Sequence, residues 1–224
     1  MLMQLLRGGW SLPNILMTIL VYAVLLLVVF PVHEMAHGFA AYLLGDKTAK
    51  YQGWLTMNPL AHMDPFGSLM MLLVGVGYAK PVPVNPYNFK NRKAGMALTA
   101  LAGPLSNLLM AILSVGLYRV LIIFVSDGWT LTLLRMGLVE LFASINISLA
   151  MFNLLPIPPL DGFRIISYVL PDKWVFMVNR YQQVITLVVL VVVFTGILDV
   201  PLNFLHNAVY GLILRMFGFH LVMI

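Results

Sequence analysis

The sequence predicts an all-α polytopic membrane protein with about four to five transmembrane helices and, after the first, a re-entrant loop containing short β segments. Three observations carry that class. Hydrophobic residues make up 61% of the chain and charged residues 9%, whereas soluble domains carry about a quarter charged residues, and the mean hydropathy is +0.95. The run from Ile15 to Val32 has no charged side chain, which approaches the length needed to cross a bilayer. Prolines and glycines then interrupt residues 45–93 so often that no spanning helix fits there. Cysteine is absent, which excludes disulfides and thiolate ligands. The net charge of +5 falls mainly in two inter-helix loops, so it reads as a topology signal and not as a nucleic-acid surface.

Taken in order, Arg7 and Trp10 form a short amphipathic lead-in, and no cleavable signal peptide is expected. Ser11 suits a cap and Pro13 a first turn, so helix one is placed from about residue 12 to Leu44, with Gly45 as its stop. At 1.5 Å per residue it spans about 48 Å and outruns the hydrocarbon core. Pro31 predicts a kink just before His33. Phe66–Val76 is apolar but too short to cross, which suits a re-entrant or interfacial segment. Tyr51–Met57 and Ala79–Val84 read as extended pieces. An exposed edge there would accept an unwound substrate strand, or the loop folds back on its own helices.

A second span is expected over Ala94–Val125, with Gly103, Ser106 and Asn107 suited to close helix packing. A turn at Ser126-Asp127-Gly128 leads to a third span over Leu131–Leu155, whose Glu140, Asn146 and Asn153 must find partners. Pro156, Pro158 and Pro159 forbid helix, so the backbone must unravel before a short helix from Asp161 to Leu170. A fourth span is placed at Tyr181–Leu198, and Pro201–Phe217 reads as a fifth or as an interfacial helix. The whole, 1–224, reads as one domain with its core at about 14–172 and C-terminal helices over 181–217.

The chemistry concentrates in His33-Glu34-Met35-Ala36-His37. Histidines four apart lie on one helix face and can grip one metal ion. A catalytic zinc takes three protein ligands and leaves one position for water, and this spacing leaves Glu34 free to take that water's proton. Ionisable groups inside an apolar span are costly, which makes the cluster a functional site by default. The plainer alternative is a set of polar groups satisfied by neighbouring helices.

Lys47, Lys50, Lys80, Lys90, Arg92 and Lys93 in one loop, and Arg164, Lys173 and Arg180 in another, place both at the cytoplasmic face by the positive-inside rule. The turn at 126–130 then faces outward. This puts the C-terminal ends of helices one and three at one membrane face, with Asp161 just past the latter, while Glu140 lies about 22 Å up the axis. Asp161 is therefore the better third ligand, and helix capping is its competing role. His62 and Asp64 are candidates for supporting the site or, for Asp64, the loop before Pro65. His206 and His220 read as interfacial.

His33-Glu34-Met35-Ala36-His37-Gly38, the Ala102-Gly103-Pro104 segment with Asn107, and Phe152-Asn153-Leu154-Leu155-Pro156 leading to Leu160-Asp161-Gly162 together resemble the site-2 protease family of intramembrane zinc metalloproteases. Asn58-Pro59 to Asp64-Pro65 and Lys80-Pro81-Val82-Pro83-Val84-Asn85-Pro86 are similar to its compact bacterial and archaeal branch. The resemblance covers roughly residues 14–172. It implies His33, His37 and Asp161 as ligands of one catalytic Zn2+, Glu34 as general base, and Asn153 as a substrate-positioning or oxyanion group. It also implies cleavage of membrane proteins within or near a transmembrane segment, in the cytoplasmic membrane and toward its cytoplasmic side. Many relatives insert a PDZ domain between the second and third core helices, where this chain has only the turn at 126–130.

The lipid bilayer and membrane-protein substrates with a transmembrane segment are the expected partners, and nucleic acid is not. A membrane metal-binding or transport protein is the competing class, in which Glu140 would matter as much as Asp161.

Overall fold

The computed structural model describes residues 12–74, 77 and 79–219. Arg7, Trp10, Ser11, Gly75, Val76 and His220 lie outside the described residues. The chain divides into two compact units, 1–95 and 96–224.

In the first unit, α1 (Leu12–Val24), a π-helical turn (Leu25–Val29) and α2 (Phe30–Leu43) run on as one apolar helix, with Ile15–Leu43 long enough to cross a membrane. Pro31 has no N–H for the carbonyl four residues back, Leu27, and its ring crowds that carbonyl. The helix stays continuous, and the defect is taken up in the wider turn at Leu25–Val29. It ends where Gly45 takes φ +108°, with the Asp46 amide returning to the Ala41 carbonyl at 2.9 Å. That reversal needs a left-handed residue, which glycine adopts without steric cost.

Beyond it come the short α3 (Thr48–Tyr51) and α4 (Pro59–His62), then α5 (Pro65–Val74). Asn58 caps α4, accepting from the Leu60 amide at 3.1 Å, and Asp64 accepts from the Gly67 amide at 2.7 Å at the start of α5. So Asp64 supports its own loop. A Cβ on Gly77 would sit 2.5 Å from the Gly67 carbonyl oxygen and from Met71 Cβ, so the chain folds back tightly on α5.

The expected β segments reduce to a single antiparallel bridge between Met63 and Ala79, and no strand forms among the described residues. The physical reason is plain in 79–86: Pro81, Pro83 and Pro86 have no N–H to donate to a ladder. Tyr51 ends a helical turn, and 52–57 is irregular.

Alpha-helix α6 (Arg92–Phe124) carries Pro104 without a break and is the second candidate span. Leu105, Leu109, Leu113, Leu117, Val120 and Phe124, spaced three or four apart, are all exposed. The opposite stripe, Ala97, Ala100, Asn107, Ala111, Ser114 and Val115, is buried. Small residues inside and large apolar ones outside are what packing in lipid selects, because lipid tails give helices no hydrophobic reason to associate.

In the second unit Asp127 caps α7 (Gly128–Leu134), a π-helical stretch follows (Arg135–Ala143), then α8 (Ser144–Asn153), the three together forming the third candidate span. On a π-helix residues five apart come into register. Arg135 and Glu140 are five apart and pair at 3.2 Å, each about half exposed. Asn146 and Asn153 donate back to the Phe142 and Leu149 carbonyls at 2.9 and 3.0 Å.

The core of this unit joins Ala111 and Val115 of α6, Val139, Ala143, Ile147 and Ala150, and Ile213 and Leu214 of α12 (Asp199–Met216). His206 of α12 fastens this packing, with Ser148 Oγ at 3.0 Å from Nδ1 and Ser144 Oγ at 3.3 Å from Nε2.

The expected fourth span, Tyr181–Leu198, forms one unbroken helix of only 14 residues, Gln182–Thr195, and the chain bends at its start, at Tyr181. Helices α10 (Asp172–Arg180) and α11 (Gln182–Thr195) meet at 71°, so the described residues hold three candidate spans, or four if the bent pair counts as one. Pro201–Phe217, expected as a fifth span or an interfacial helix, falls in the helix Asp199–Met216, which is not among them. These apolar helices make the chain an integral membrane protein.

Between α8 and α9 (Asp161–Ile166) the proline-rich segment 154–160 forms turns, as the sequence requires. Gly162 closes it. A Cβ there would lie 2.2 and 2.3 Å from the carbonyl oxygens of Leu154 and Leu155, so only glycine lets the start of α9 return against the end of α8. Gly162→Ala is expected to cost about 1–3 kcal/mol through this backbone clash, read as a lower thermal unfolding midpoint in detergent. A midpoint equal to wild type would contradict the close approach.

Candidate metal centre

His33 and His37 stand one turn apart on α2, both buried, with their Nε2 atoms 3.1 Å apart and their rings edge to face at 4.7 Å between centroids. Two nitrogen ligands on a tetrahedral zinc, each about 2.0–2.1 Å from it, are about 3.3 Å apart. The histidine pair already has close to that spacing. Ligand atoms of His33, Glu34 and His37 all fall within 4.8 Å of one another. The donor set of two imidazoles and a carboxylate suits zinc.

Glu34 is held by a contact with no signal in the motif: its Oε2 accepts from the Val82 amide at 3.2 Å, across 48 residues of sequence. Val82 is buried and comes close to α2 at Gly38, where an added Cβ would lie 3.2 Å from Val82 Cγ1 and 2.9 Å from Leu55 Cδ2. The glycine after His37 thus leaves room for the loop that reaches Glu34.

That loop is fastened by Asp46, which is fully buried. One of its oxygens accepts from the Asn85 amide at 2.7 Å, and the other from Asn88 Nδ2 at 2.7 Å and from the Thr48 amide at 3.1 Å and hydroxyl. Burial alone would push this carboxyl up, but hydrogen bonds from the Thr48 and Asn88 side chains and the Asn85 and Thr48 amides outweigh it and hold it below its ordinary value of 3.8.

A carboxylate whose folded value is depressed stabilises the fold above its unfolded value and loses that contribution as pH falls through the folded one. The gap in thermal midpoint between wild type and Asp46→Asn is therefore expected to be full at pH 6 and to close as pH drops below about 4. A gap independent of pH from 7 to 3 would contradict it.

Asp161 and Asn153 lie in the second unit. Asp161 is buried, 8% exposed, and is the first residue of α9, while Leu160 occupies the cap position without a side-chain bond. Its carboxylate is therefore not the N-cap. Asn153 closes α8, with one of its two Nδ2 hydrogens used on Leu149. His62 is buried in the first unit, its Nε2 donating to the Thr56 carbonyl at 2.8 Å with its ring against Trp54, which ties the loop 54–62 together. The sequence reading missed Asp46 and Val82. Asp after Gly reads as a turn residue, and a backbone amide has no letter of its own.

A sequence model of peptidase family M50 matches residues 122–196. The proposed zinc metalloprotease YwhC of Bacillus subtilis is 42% identical over 159 residues, covering 69% of this chain and 72% of that protein. The similarly named Rip2 of Mycolicibacterium smegmatis is 30% identical over 136 residues, 58% of this chain and 50% of its own length. MJ0611 of Methanocaldococcus jannaschii, named in the same way, is 29% identical over 163 residues, 71% of this chain and 76% of its own. No solved structure matches significantly. A His-Glu-His centre of zinc-ligand spacing with both histidines buried, together with these relatives, places the chain in peptidase family M50, the site-2 protease family, as a zinc metallopeptidase.

Proposed function

We propose that this chain is an intramembrane zinc endopeptidase that hydrolyses peptide bonds in or near the transmembrane segments of substrate proteins, as one domain, in the cytoplasmic membrane with its site toward the cytoplasm. The observation that carries this reading is the position of the centre. His33, Glu34 and His37 sit within the apolar span Ile15–Leu43, with His37 about 9 Å along the axis from Leu43. The loops carrying Lys47, Lys50, Lys80 and Lys90 leave that same end, which supports the cytoplasmic side.

In this reading His33, His37 and Asp161 hold the metal. Zinc, when bound, polarises the scissile carbonyl and lowers the pKa of a water to about 7. Glu34 takes the proton of the attacking water and returns it to the departing amine nitrogen. With Oε2 occupied by the Val82 amide, its other oxygen is the one presented for that proton. Asn153 has a second Nδ2 hydrogen for the developing oxyanion, a role worth about 2.7–4 kcal/mol where it is filled. A helical substrate must unwind first, because its carbonyls are engaged along the helix.

Metal transport, the competing class, needs Glu140 as a ligand along a path. Glu140 is half exposed and paired with Arg135.

The test reconstitutes the protein with a panel of single-span membrane proteins and maps the cut by mass spectrometry. Cleavage within or beside the span, abolished by a zinc chelator and restored by zinc, is the expected result. Cuts confined to soluble regions would contradict the intramembrane part, and zinc flux without cleavage would favour transport.

A further inference from the structure

We propose that Asp46 is a positioning residue for Glu34: it grips one end of a proline-stiffened strap, residues 81–86, and so fixes the backbone amide that holds the general base. The proposal rests on the peptidase reading above and adds to it a residue outside the metal motif.

The strap has two anchors. At its far end the buried Asp46 carboxylate receives the Asn85 amide and the Asn88 side chain, both at 2.7 Å. Asn85 in turn accepts from the Tyr87 amide at 3.1 Å, closing the turn Pro86–Asn88, and Phe89 beyond it is seated where a Cβ on Gly95 would come within 2.3 Å of its ring. At its near end the Val82 amide donates to Glu34 at 3.2 Å.

Between the anchors, Pro83 fixes its own φ and restricts Val82, and Pro86 restricts Asn85. The segment therefore has few ways to absorb a displacement at Asn85 without moving Val82. The far anchor lies just beyond the helix that bears the base, since Asp46 follows the Gly45 reversal that ends α2. The helix that bears Glu34 thus also carries, through Asp46, the means of holding the strap over it.

The strap suits a direct measurement. Prolines leave only Val82, Val84 and Asn85 with amide hydrogens in 81–86, and two of these three are accepted by carboxylates. Hydrogen exchange is followed on the full chain in detergent, resolved to single residues by fragmentation, for wild type, Asp46→Ala and Asp46→Asn. Asparagine keeps the volume of Asp46 but replaces one of the two accepting oxygens with a donor. It serves if the alanine variant does not fold. Bound zinc, kcat and KM are measured on the same samples with a single-span substrate.

The expected result is that both variants release Val82 together with Asn85, and that kcat falls about 10- to 100-fold while KM and zinc content stay within twofold. Release of Asn85 with Val82 still protected would overturn the proposal. So would loss of zinc, KM and kcat together, which is what a merely structural role predicts. If the wild-type protein cleaves nothing, the peptidase reading fails, and coupled release of the two amides still reports whether Asp46 sets the strap.

Discussion

Glu34→Gln is expected to lower turnover by about 10²- to 10⁴-fold, the range a positioned general base supplies, with zinc content unchanged. Glutamine matches the shape of glutamate, and its carbonyl oxygen can still accept from the Val82 amide, so the strap contact at 3.2 Å survives. What it cannot do is take a proton from water. Because His33 and His37 supply the imidazoles without Glu34, the metal stays. Zinc content measured beside turnover checks this: loss of zinc in Glu34→Gln would make Glu34 a ligand, and retained turnover would remove it from the chemistry.

The second large effect is loss of the metal itself. His37→Ala is expected to abolish both zinc binding and cleavage, because it removes one imidazole of a buried pair 3.1 Å apart and leaves the proposed site one ligand short of the three a catalytic zinc takes. Asp161→Ala is expected to lower zinc affinity by at least the 10- to 100-fold seen when even a supporting partner of a ligand is removed, with turnover falling in parallel. Competition against a chelator of known affinity gives both numbers. Full occupancy in Asp161→Ala would take that aspartate out of the ligand set, whereas Glu140→Gln is expected to leave zinc affinity at the wild-type value.

The parts of this protein written in short-range spacing were readable from the sequence. His33 and His37, four apart on a helix, come together because the helical repeat puts them there, and the helix stops at Gly45 for the steric reason that only a left-handed residue allows the reversal. The three main spans follow from apolar length alone. Prolines at 156, 158 and 159 gave the unravelled segment, although the clash that makes Gly162 obligatory depends on carbonyls seven and eight residues back, which periodicity does not report.

What escaped the sequence is set by long-range contact or by helix defects. Asp46 meets Asn85 and Asn88 across about 40 residues, and the Val82 contact with Glu34 runs through the backbone. The π-helical stretch at Arg135–Ala143 has a trace only in hindsight, in an Arg and a Glu five residues apart. In the loop 79–84 alternating prolines predict extended chain, and the same prolines remove the donors a sheet needs.

The most direct test of the zinc centre is X-ray absorption at the zinc edge on purified wild-type protein and on Asp161→Ala. Two imidazole nitrogens at about 2.0–2.1 Å and carboxylate oxygen at about 2.0–2.2 Å in the wild type, with the carboxylate signal reduced in the variant, is the predicted result. A spectrum without paired imidazole scattering, or one that Asp161→Ala leaves unchanged, would contradict the account.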